Sequence, residues 1–399
     1  MALLRITFLT LVCLNLRADL VLSNSAECSK HTLSLLHIVS RHGNKTLEAT
    51  YPTNPHKHVR FEPFGEGQLT NGGKLLGYQT GQYLRHRYNR FLGPYTPEIL
   101  GKLLGYQTGQ YLRHRYNRFL GPYTPEILGA YASSSWRCRA YLQLIMASLF
   151  PPSKAEKWHK DFHWQAYPIN VDCNLSRNLF WSYATCPNFA KSYENYKKFG
   201  AYGKVMAPYN ETITYLRNQS GLWQNNTFVF GTPIYLHAAF KSQEEWGLEL
   251  PSWAKSVWPE TLDEIAAMEW SQLFATEEAR TLGAGHIISK IFKDTTLHIN
   301  KDPSVNGKKI YLYVGHDTNL YGSLAWLGVL KPEMINFGAY VIFEIHNLND
   351  NYYIKVLFQN KNVASAPAPI KIPQCGYCCP INKFATLYAS RLNPEKICG

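Results

Sequence analysis

A short segment at positions 41–45 places one histidine between cationic side chains, in the order Arg-His-Gly-Asn-Lys. Arg41 and Lys45 can hold the oxygens of a phosphoryl group, and Gly43 lets the backbone approach it closely. An imidazole nitrogen can attack phosphorus, and the covalent intermediate divides hydrolysis into two easier steps. Nearby positive charge favours the neutral, nucleophilic form of His42. The segment therefore predicts His42 as a phosphate-accepting nucleophile.

A second segment at positions 315–318, Gly-His-Asp-Thr, supplies the groups that this reaction still lacks. His316 can hydrogen-bond to the phosphoryl oxygens. Asp317, when protonated, can donate its proton to the oxygen of the leaving alcohol, which indicates an acidic working pH. Each segment alone is weak, because short histidine motifs also occur by chance in structural positions. Their occurrence as a pair favours catalysis over a structural role.

The elements that must position these segments are an alternation of strands and helices. Residues 32–40 and 310–314 are apolar runs that predict strands buried on both faces. Because ligands of open α/β sheets bind at the carboxyl ends of strands, both segments are expected at one edge of one sheet. Helices are predicted at 75–91 and its copy, 139–150, 261–274 (with a capping box of Thr261 and Glu264) and 319–330, and further strands at 339–346 and 352–358.

This order of elements predicts an α/β fold with a central, mostly parallel sheet and flanking helices. The middle of the chain, about 155–290, is aromatic-rich and reads as helical. It is expected to form a smaller, mainly helical cap domain, although no linker rich in Pro, Gly or Ser separates it from its surroundings.

One exact internal repeat interrupts this organisation. Residues 73–100 recur letter for letter as 101–128. Repeat folds need several copies, which normally diverge, so one perfect copy indicates a recent duplication or an error in the assembled sequence. One copy is expected to be looped out or displaced from the helical position, with local disorder or an extruded helix there.

The composition indicates a globular, exported protein. The chain has 399 residues, of which 45% are hydrophobic, and a formal charge of +13. Its Lys and Arg residues are scattered and no zinc-finger spacing occurs, so a nucleic-acid partner is not expected. Residues 1–26 have the short basic start, apolar run and small residues of a secretory signal peptide. No later segment is long and apolar enough to span a membrane.

Cysteines and glycosylation sequons agree with export. The eight cysteines beyond the signal peptide are an even number, which suits disulfides in a secreted chain, whereas their spacing suits a metal site poorly. We expect secretion to the extracellular space, with the lysosomal lumen a less favoured destination. N-glycosylation sequons lie at Asn44, Asn174, Asn210, Asn218 and Asn225. Glycans are predicted at the last four, since one at Asn44 would block the catalytic loop.

With these motifs, the chain resembles the histidine acid phosphatases of branch 2 of the histidine phosphatase superfamily, and especially the venom and salivary forms of insects. The resemblance extends from about Thr32 to Cys398, so that residues 27–399 are expected to form the phosphatase domain. Besides the two histidine segments, it rests on several shorter matches. These are the Gly-Gln-Leu-Thr loop at 67–70, the Leu-Arg-x-Arg-Tyr-x-x-Phe-Leu helix at 112–120, the Leu-Phe-Pro-Pro end at 149–152, Trp164-Gln165, Cys186-Pro187, Leu250–Ala254 and the tail segment 379–384.

The resemblance implies a role for each residue of the site and hydrolysis of phosphate monoesters without a metal or other cofactor. His42 would be the nucleophile and Asp317 the catalytic proton donor. Arg41, Lys45 and His316 would bind the substrate phosphate. It also implies two disulfides, Cys186–Cys398 and Cys375–Cys379. Cys378 could compete in the second pair, and Cys28, Cys138 and Cys173 are left without an assigned partner.

Two departures from the family pattern bear on activity. Lys45 stands where the family has Arg, which keeps the charge but loses bidentate holding of phosphate. Counting back from Pro151-Pro152 places Tyr131 at the position of a phosphate-binding Arg and aligns Arg137 with a separate, later Arg. A missing cationic clamp costs about 2–4 kcal/mol of transition-state stabilisation, by analogy with the loss of one oxyanion donor.

The sequence therefore predicts a secreted acid phosphatase, with activity weakened by the departures at Lys45 and Tyr131. Its expected substrates are small phosphate monoesters or phosphoproteins, and a homodimer is an open possibility. The alternative is a catalytically impaired homologue that serves as a secreted binding or host-interaction protein, because a fold does not guarantee its function. A mutase is disfavoured, since the signal peptide, sequons and cysteines indicate export.

Overall fold

The computed structural model describes residues 28–29, 32–48, 50–92, 125–150, 152, 156–157, 164–170, 173–223, 231–361, 366–394 and 398. The predicted signal peptide, most of the second repeat copy and Asn225 lie outside these residues. Among the helices of the described part, none is both long enough and apolar enough to cross a bilayer.

The centre of the fold is one sheet. Its described strands are β1 (Leu33–Arg41), β2 (Leu128–Ala132), β3 (Ile310–Gly315), β4 (Tyr340–Leu348), β5 (Asn351–Gln359), β6 (Ala368–Ile370) and β7 (Cys379–Pro380). They lie in the order β2-β3-β1-β4-β5-β6, and β7 pairs with β5. The pairings of β3 with β1 and β2 are parallel, and the other described pairings are antiparallel. The α/β class is confirmed, but the sheet is mixed rather than mostly parallel.

A tight connection explains part of this difference. Only Asn349 and Asp350 join β4 to β5, and both have positive φ. A two-residue turn of that kind produces a hairpin and hence antiparallel strands, because a parallel pair needs a long crossover. The two strands and their Asn/Asp-rich turn are as the sequence predicted, and only the global description of the sheet was wrong.

The helices surround this sheet. They are α1 (Asn71–Arg87), α2 (Asn89–Leu92), α3 (Trp136–Leu149), α4 (Cys173–Phe180), α5 (Ser182–Thr185), α6 (Pro187–Phe199), α7 (Tyr202–Met206), α8 (Asn210–Ser220), α9 (Thr232–Glu245), α10 (Glu260–Leu273), α11 (Glu277–Ile299), α12 (Asp317–Trp326) and α13 (Ile381–Leu387). The predicted helix at 261–274 is α10, but its capping box is wrong. Pro259 occupies the N-cap position, and no side chain caps the helix there.

Both faces of the sheet are buried, as the apolar runs of β1 and β3 predicted. Along β1, Leu35 and Val39 face a core cluster that includes residues of α11 and α12. Leu36 and Ile38 face a second cluster, which includes residues of α1 and α3. Alternate side chains of a strand point to opposite faces, so burial on both sides requires a continuous apolar run.

The first repeat copy forms most of α1, which packs against the sheet. Thr70, just before the repeat, caps α1 by accepting a hydrogen bond from the backbone N–H of Gly73 at 3.0 Å. Farther along α1, a Cβ at Gly81 would lie 2.1 Å from the backbone oxygen of Ile145 in α3. Glycine therefore allows the two helices to approach closely. The helix that the resemblance places at 112–120, in the second copy, lies outside the described residues.

The loop that follows β1 is anchored by apolar contacts with the helical region. Leu47, Tyr51 and Phe61 belong to a buried cluster with residues of α8, α9 and α10, among them Leu216 and Phe240. Burial of large apolar side chains contributes about 1.5–3 kcal/mol each, so this cluster fixes the path of the loop. It thereby fixes the backbone at positions 45–48, beside the candidate site.

Three disulfides are present in the described residues, Cys28–Cys378, Cys186–Cys398 and Cys375–Cys379. The second and third are the pairs that the resemblance implies. Cys378 joins the amino-terminal Cys28 rather than competing for Cys375 or Cys379. Cys138 is buried and forms no disulfide.

Candidate active site

The candidate site lies where three neighbouring parallel strands end. Arg41 and Gly315 are paired in register at the carboxyl ends of β1 and β3. The backbone N–H of His42 then donates to the carbonyl of Gly315 at 3.1 Å, and that of Ser133, beyond β2, donates to Val314 at 2.9 Å. The carboxyl ends of parallel strands meet at one edge of a sheet, so these bonds bring three distant segments together.

The ring of His42 is held in an orientation that suits a nucleophile. Its Nδ1 lies 2.8 Å from the carbonyl oxygen of Gly43. A carbonyl oxygen only accepts hydrogen bonds, so Nδ1 carries the proton and the neutral ring keeps a lone pair on Nε2. That nitrogen accepts a hydrogen bond from Nε of Arg137 at 3.1 Å. The attacking atom of His42 therefore already faces a guanidinium group.

Both histidines favour the neutral form. Burial, and after it the charge of Arg137, lower the pKa of His42 well below its ordinary value, with smaller contributions from His316 and Arg41. Burial and the nearby Arg137, Arg41 and Lys45 lower the pKa of His316 in the same direction. The two ring centroids are 5.5 Å apart. A depressed pKa keeps His42 uncharged, and so able to attack, at acidic pH.

Arg41, the residue directly before His42, forms an ion pair with Asp317, the predicted proton donor. Its Nη2 lies 2.9 Å from Oδ2 of Asp317. Its guanidinium carbon lies 4.3 Å from the centre of the Phe337 ring, and Nη1 donates to the carbonyl of Ile335. The side chain of Asp317 is 28% exposed, whereas His42 is 3% exposed. Asp317 thus lies on the open side of the site.

His316 is positioned at the start of α12. Its backbone N–H donates to Oδ1 of Asn319 at 2.8 Å, which fixes the beginning of the helix. Its Nε2 lies 2.8 Å from the hydroxyl of Ser133, and the ring of Trp181 lies 4.5 Å from the imidazole, measured between centroids. The contacts with Ser133 and Trp181 hold the imidazole in place beside His42.

A second group of charges surrounds the other side of His42. Lys45 Nζ lies 3.3 Å from Oε2 of Glu48, and Arg137 Nη1 lies 2.9 Å from Oε1 of the same carboxylate. Arg137 Nη1 also donates to the carbonyl of Gly67 at 3.3 Å. Burial lowers the pKa of Lys45 to about 8, with Glu48 opposing this shift. Lys45 and Arg137 are both within reach of the region in front of His42.

The side chains of Tyr131 and Arg137 face different parts of the fold, and the alignment of these two positions with the family pattern stays a prediction. Tyr131 lies on β2 with its ring stacked on Tyr313, 5.2 Å between centroids, and with Lys290 Nζ 4.8 Å from its ring. It therefore faces away from His42, into the other core cluster. Arg137, at the second position of α3, supplies the guanidinium near the nucleophile. Counting positions compares places along the chain and does not reveal where a side chain points.

Gly43 has a packing role in addition to the flexibility expected of it. A Cβ at this position would lie 2.4 Å from the backbone oxygen of Gly73 and 2.8 Å from the ring of Tyr141. The catalytic loop therefore packs directly on the start of α1, where the backbone N–H of Thr70 donates to the carbonyl of Asn44 at 3.1 Å. Any larger residue than glycine would separate the loop from the helix.

All five predicted site residues, Arg41, His42, Lys45, His316 and Asp317, lie in this one region. Sequence analysis missed Ser133, Glu48, Phe337 and Trp181, and it assigned Arg137 elsewhere. A third parallel strand would have pointed to residues 133–137, but the sequence of β2 has no clear strand pattern that could have served as the signal. Among the predicted glycosylation sites, Asn174, Asn210 and Asn218 are exposed, and glycosylation there stays a prediction.

Comparison with known proteins yields one family and one fold. The sequence model of the histidine phosphatase superfamily (branch 2) matches residues 32–359. Venom acid phosphatase Acph-1 of Apis mellifera is 26% identical over 380 residues, which are 92% of this chain and 87% of that protein. Lysosomal acid phosphatase of Bos taurus is 25% identical over 364 residues, 89% and 77% of the two chains. The apo form of Hafnia alvei phytase has a similar fold, with a TM-score of 0.64 at 15% identity, over 91% of this chain and 97% of the phytase.

Proposed function

The chain belongs to branch 2 of the histidine phosphatase superfamily, and from this membership we propose that it is a secreted acid phosphatase that hydrolyses phosphate monoesters through a phosphohistidine on His42. The observation that carries the proposal is the orientation of His42, whose Nδ1 faces the carbonyl of Gly43 while Nε2 is free of a proton and faces Arg137. The acid phosphatase names of the relatives support the same activity.

In the first step, Nε2 of His42 attacks phosphorus and the bond from phosphorus to the ester oxygen breaks. Arg41, Lys45, Arg137 and His316 bind the phosphoryl oxygens and stabilise the charge that the transition state spreads over them. Before the attack, Arg137 transfers its hydrogen bond from the imidazole to the bound phosphate, which frees the lone pair of Nε2. Protonated Asp317 donates its proton to the departing alkoxide, so that a neutral alcohol leaves.

In the second step, water attacks the phosphohistidine. Asp317, now ionised, accepts a proton from the water, the bond between nitrogen and phosphorus breaks, and inorganic phosphate is released. The depressed pKa of His42 keeps the ring neutral between turnovers even at acidic pH. A nucleophile that stays neutral in acid supports an acidic optimum for the proposed reaction.

Arg137 also bears on the second candidate, an impaired homologue with a binding role. The main argument for impairment was that Tyr131 stands where the family has a phosphate-binding Arg. This argument is weaker because Arg137 places a guanidinium next to His42. Lys45 in place of Arg still predicts looser holding of phosphate. We therefore favour an active enzyme whose turnover is slower than an all-arginine site would allow.

One disulfide supports the proposal that the protein is exported. The disulfide between Cys28 and Cys378 begins directly after the predicted signal peptide, and disulfides persist in oxidising compartments. Expression in a secreting cell tests this proposal. Amino-terminal sequencing of protein from the medium should give a mature chain that starts shortly before Cys28, whereas retention of residues 1–26 would contradict it.

The test of function is hydrolysis of a chromogenic aryl phosphate near pH 5, with quenched-flow trapping of a phosphorylated enzyme. His42→Ala should lower kcat by at least about a thousandfold, as loss of a nucleophile does in other hydrolases. His58→Ala, which removes an exposed histidine from the following loop, serves as the matched control and should retain activity. Equal activity in the wild type and His42→Ala would remove His42 from the mechanism, and inactivity of the wild type would favour the binding role.

A further inference from the structure

Glu48 places a negative charge in a site that is proposed to bind phosphate, which is itself an anion. Its carboxylate lies between Lys45 and Arg137, with one oxygen 3.3 Å from the ammonium and the other 2.9 Å from the guanidinium. These are two of the cations to which the proposed function assigns the phosphoryl group. An ionised carboxylate and a phosphoryl group are both anions with several acceptor oxygens, so they compete for the same donors.

The backbone of Glu48 is fixed while its side chain can move. Leu47 is buried in the cluster shared with α8 and α9, and Thr46 donates from its hydroxyl to the carbonyl of Gly65 at 2.7 Å. The side chain of Glu48 is 51% exposed. The carboxylate can therefore swing into solvent when another anion takes its partners, and the loop need not move.

We propose that Glu48 is a built-in competitor of the substrate phosphate, which pairs with Lys45 and Arg137 in the free enzyme and must release both before a phosphoryl group binds. This inference rests on the proposed function and adds a residue that controls affinity for the substrate. Glu48 is a positioning residue, since it acts through the two cations and not on the reacting atoms. In the free enzyme it also keeps the buried charges of Lys45 and Arg137 paired.

The proposal makes phosphate affinity dependent on pH. The charged and titratable groups that face Glu48 are Lys45 on its own loop and Arg137 on α3, with Cys138 and Tyr183 more weakly coupled to it. Partial burial acts to raise the pKa of Glu48, but Lys45 and Arg137 outweigh it and lower the pKa. Above that pKa the carboxylate is ionised and competes. As the pH falls towards it, Glu48 becomes protonated and both cations become available.

The sharpest test uses Glu48→Gln, which keeps the shape of the side chain and removes its charge. Inorganic phosphate is titrated into the full chain by calorimetry between pH 4 and 7, and its inhibition of aryl phosphate hydrolysis is measured in parallel. Glu66→Gln is the matched control, because it removes one exposed glutamate of the same loop region. Circular dichroism melting verifies that each variant is folded.

At pH 6 we expect Glu48→Gln to bind phosphate about two- to fivefold more tightly than the wild type, the range for release of a partly exposed ion pair. Because the pKa of Glu48 lies below its ordinary value, the gain should persist from pH 7 to about pH 5 and begin to shrink only at the acidic end of the series. Glu66→Gln should match the wild type throughout. Unchanged or weaker binding by Glu48→Gln, or a gain equal to that of Glu66→Gln, would overturn the inference. Hydrolysis by the wild type in that case would leave the proposed function standing, whereas a wild type without phosphate binding or hydrolysis would refute both.

Discussion

Arg137 Nε and His42 Nε2 are joined by a hydrogen bond of 3.1 Å, although the two residues lie 95 positions apart in the chain. The bond brings a guanidinium to the atom that would attack phosphorus. It also explains part of the low pKa of His42, to which Arg137 contributes after burial. One side chain thus affects both phosphate binding and the protonation state of the nucleophile.

Removal of this side chain should therefore have two measurable effects. Arg137→Ala is expected to lower kcat/KM by about 10²–10³-fold, the usual loss for one donor to a developing oxyanion. Loss of the positive charge raises the pKa of His42, so a smaller fraction of the ring is neutral in acid. The acidic limb of the profile of kcat/KM against pH should consequently move to higher pH.

The control for this experiment is Arg139→Ala on the same helix. The guanidinium of Arg139 lies over the ring of Trp136, 5.8 Å from its centroid, and is not among the groups that shift the pKa of His42. It should retain the wild-type profile. An acidic limb at the same pH in Arg137→Ala and the wild type would show that Arg137 does not influence His42.

The second prediction concerns Tyr131, where the family pattern has an arginine. Tyr131→Arg should not increase kcat/KM, because this position faces Tyr313 and Lys290 rather than His42. The substitution loses an aromatic stack worth about 1 kcal/mol and places a second cation beside Lys290. We expect a lower free energy of unfolding in urea. A gain in activity would mean that the site does lack a cation that position 131 can supply.

The third prediction concerns the contact of the catalytic loop with α1. Gly43→Ala places a methyl group 2.4 Å from the backbone oxygen of Gly73, so the loop or the helix must shift. Overpacking of this kind costs about 1–3 kcal/mol of stability, and a displaced His42 should also reduce kcat. Gly203→Ala is the control, since a Cβ there meets no atom within 4 Å. Equal Tm and kcat for both variants would contradict the packing role.

The fourth prediction concerns the repeat. The described residues use positions 73–92 of the first copy and 125–128 of the second, which correspond to different parts of the repeated unit. A chain that lacks 101–128 therefore still contains every described segment once, and it has the same sequence as one that lacks 73–100. We expect this deletion to keep kcat/KM and Tm at their full-length values. Loss of folding or activity would show that the additional copy is needed.

Much of the sheet could be predicted from the sequence, because its strands are marked by local patterns. β1 and β3 are continuous apolar runs, and the hairpin of β4 and β5 is marked by Asn349 and Asp350. β2 could not be predicted in the same way. Its five residues include Gly129 and two alanines, so it lacks the β-branched content of a strand signal.

The sequence predicted only those site residues that lie at the end of a strand or shortly after it. Because ligands bind at the carboxyl ends of parallel strands, the sequence alone predicted that His42 and His316 lie close together. It could not locate Arg137, because the direction of a side chain at a helix start depends on how that helix packs. Nor could it join Cys28 to Cys378, which are separated by 350 positions.

The choice between the repeat copies depends on residues outside the repeat. Thr70, which caps α1, precedes the first copy, whereas the residue three places before the second copy is Glu98. Whatever number of units follows, the first one keeps the cap and the last one leads into β2. A chain with another number of whole units would therefore keep the capped start of α1 at one end of the repeat and the approach to β2 at the other.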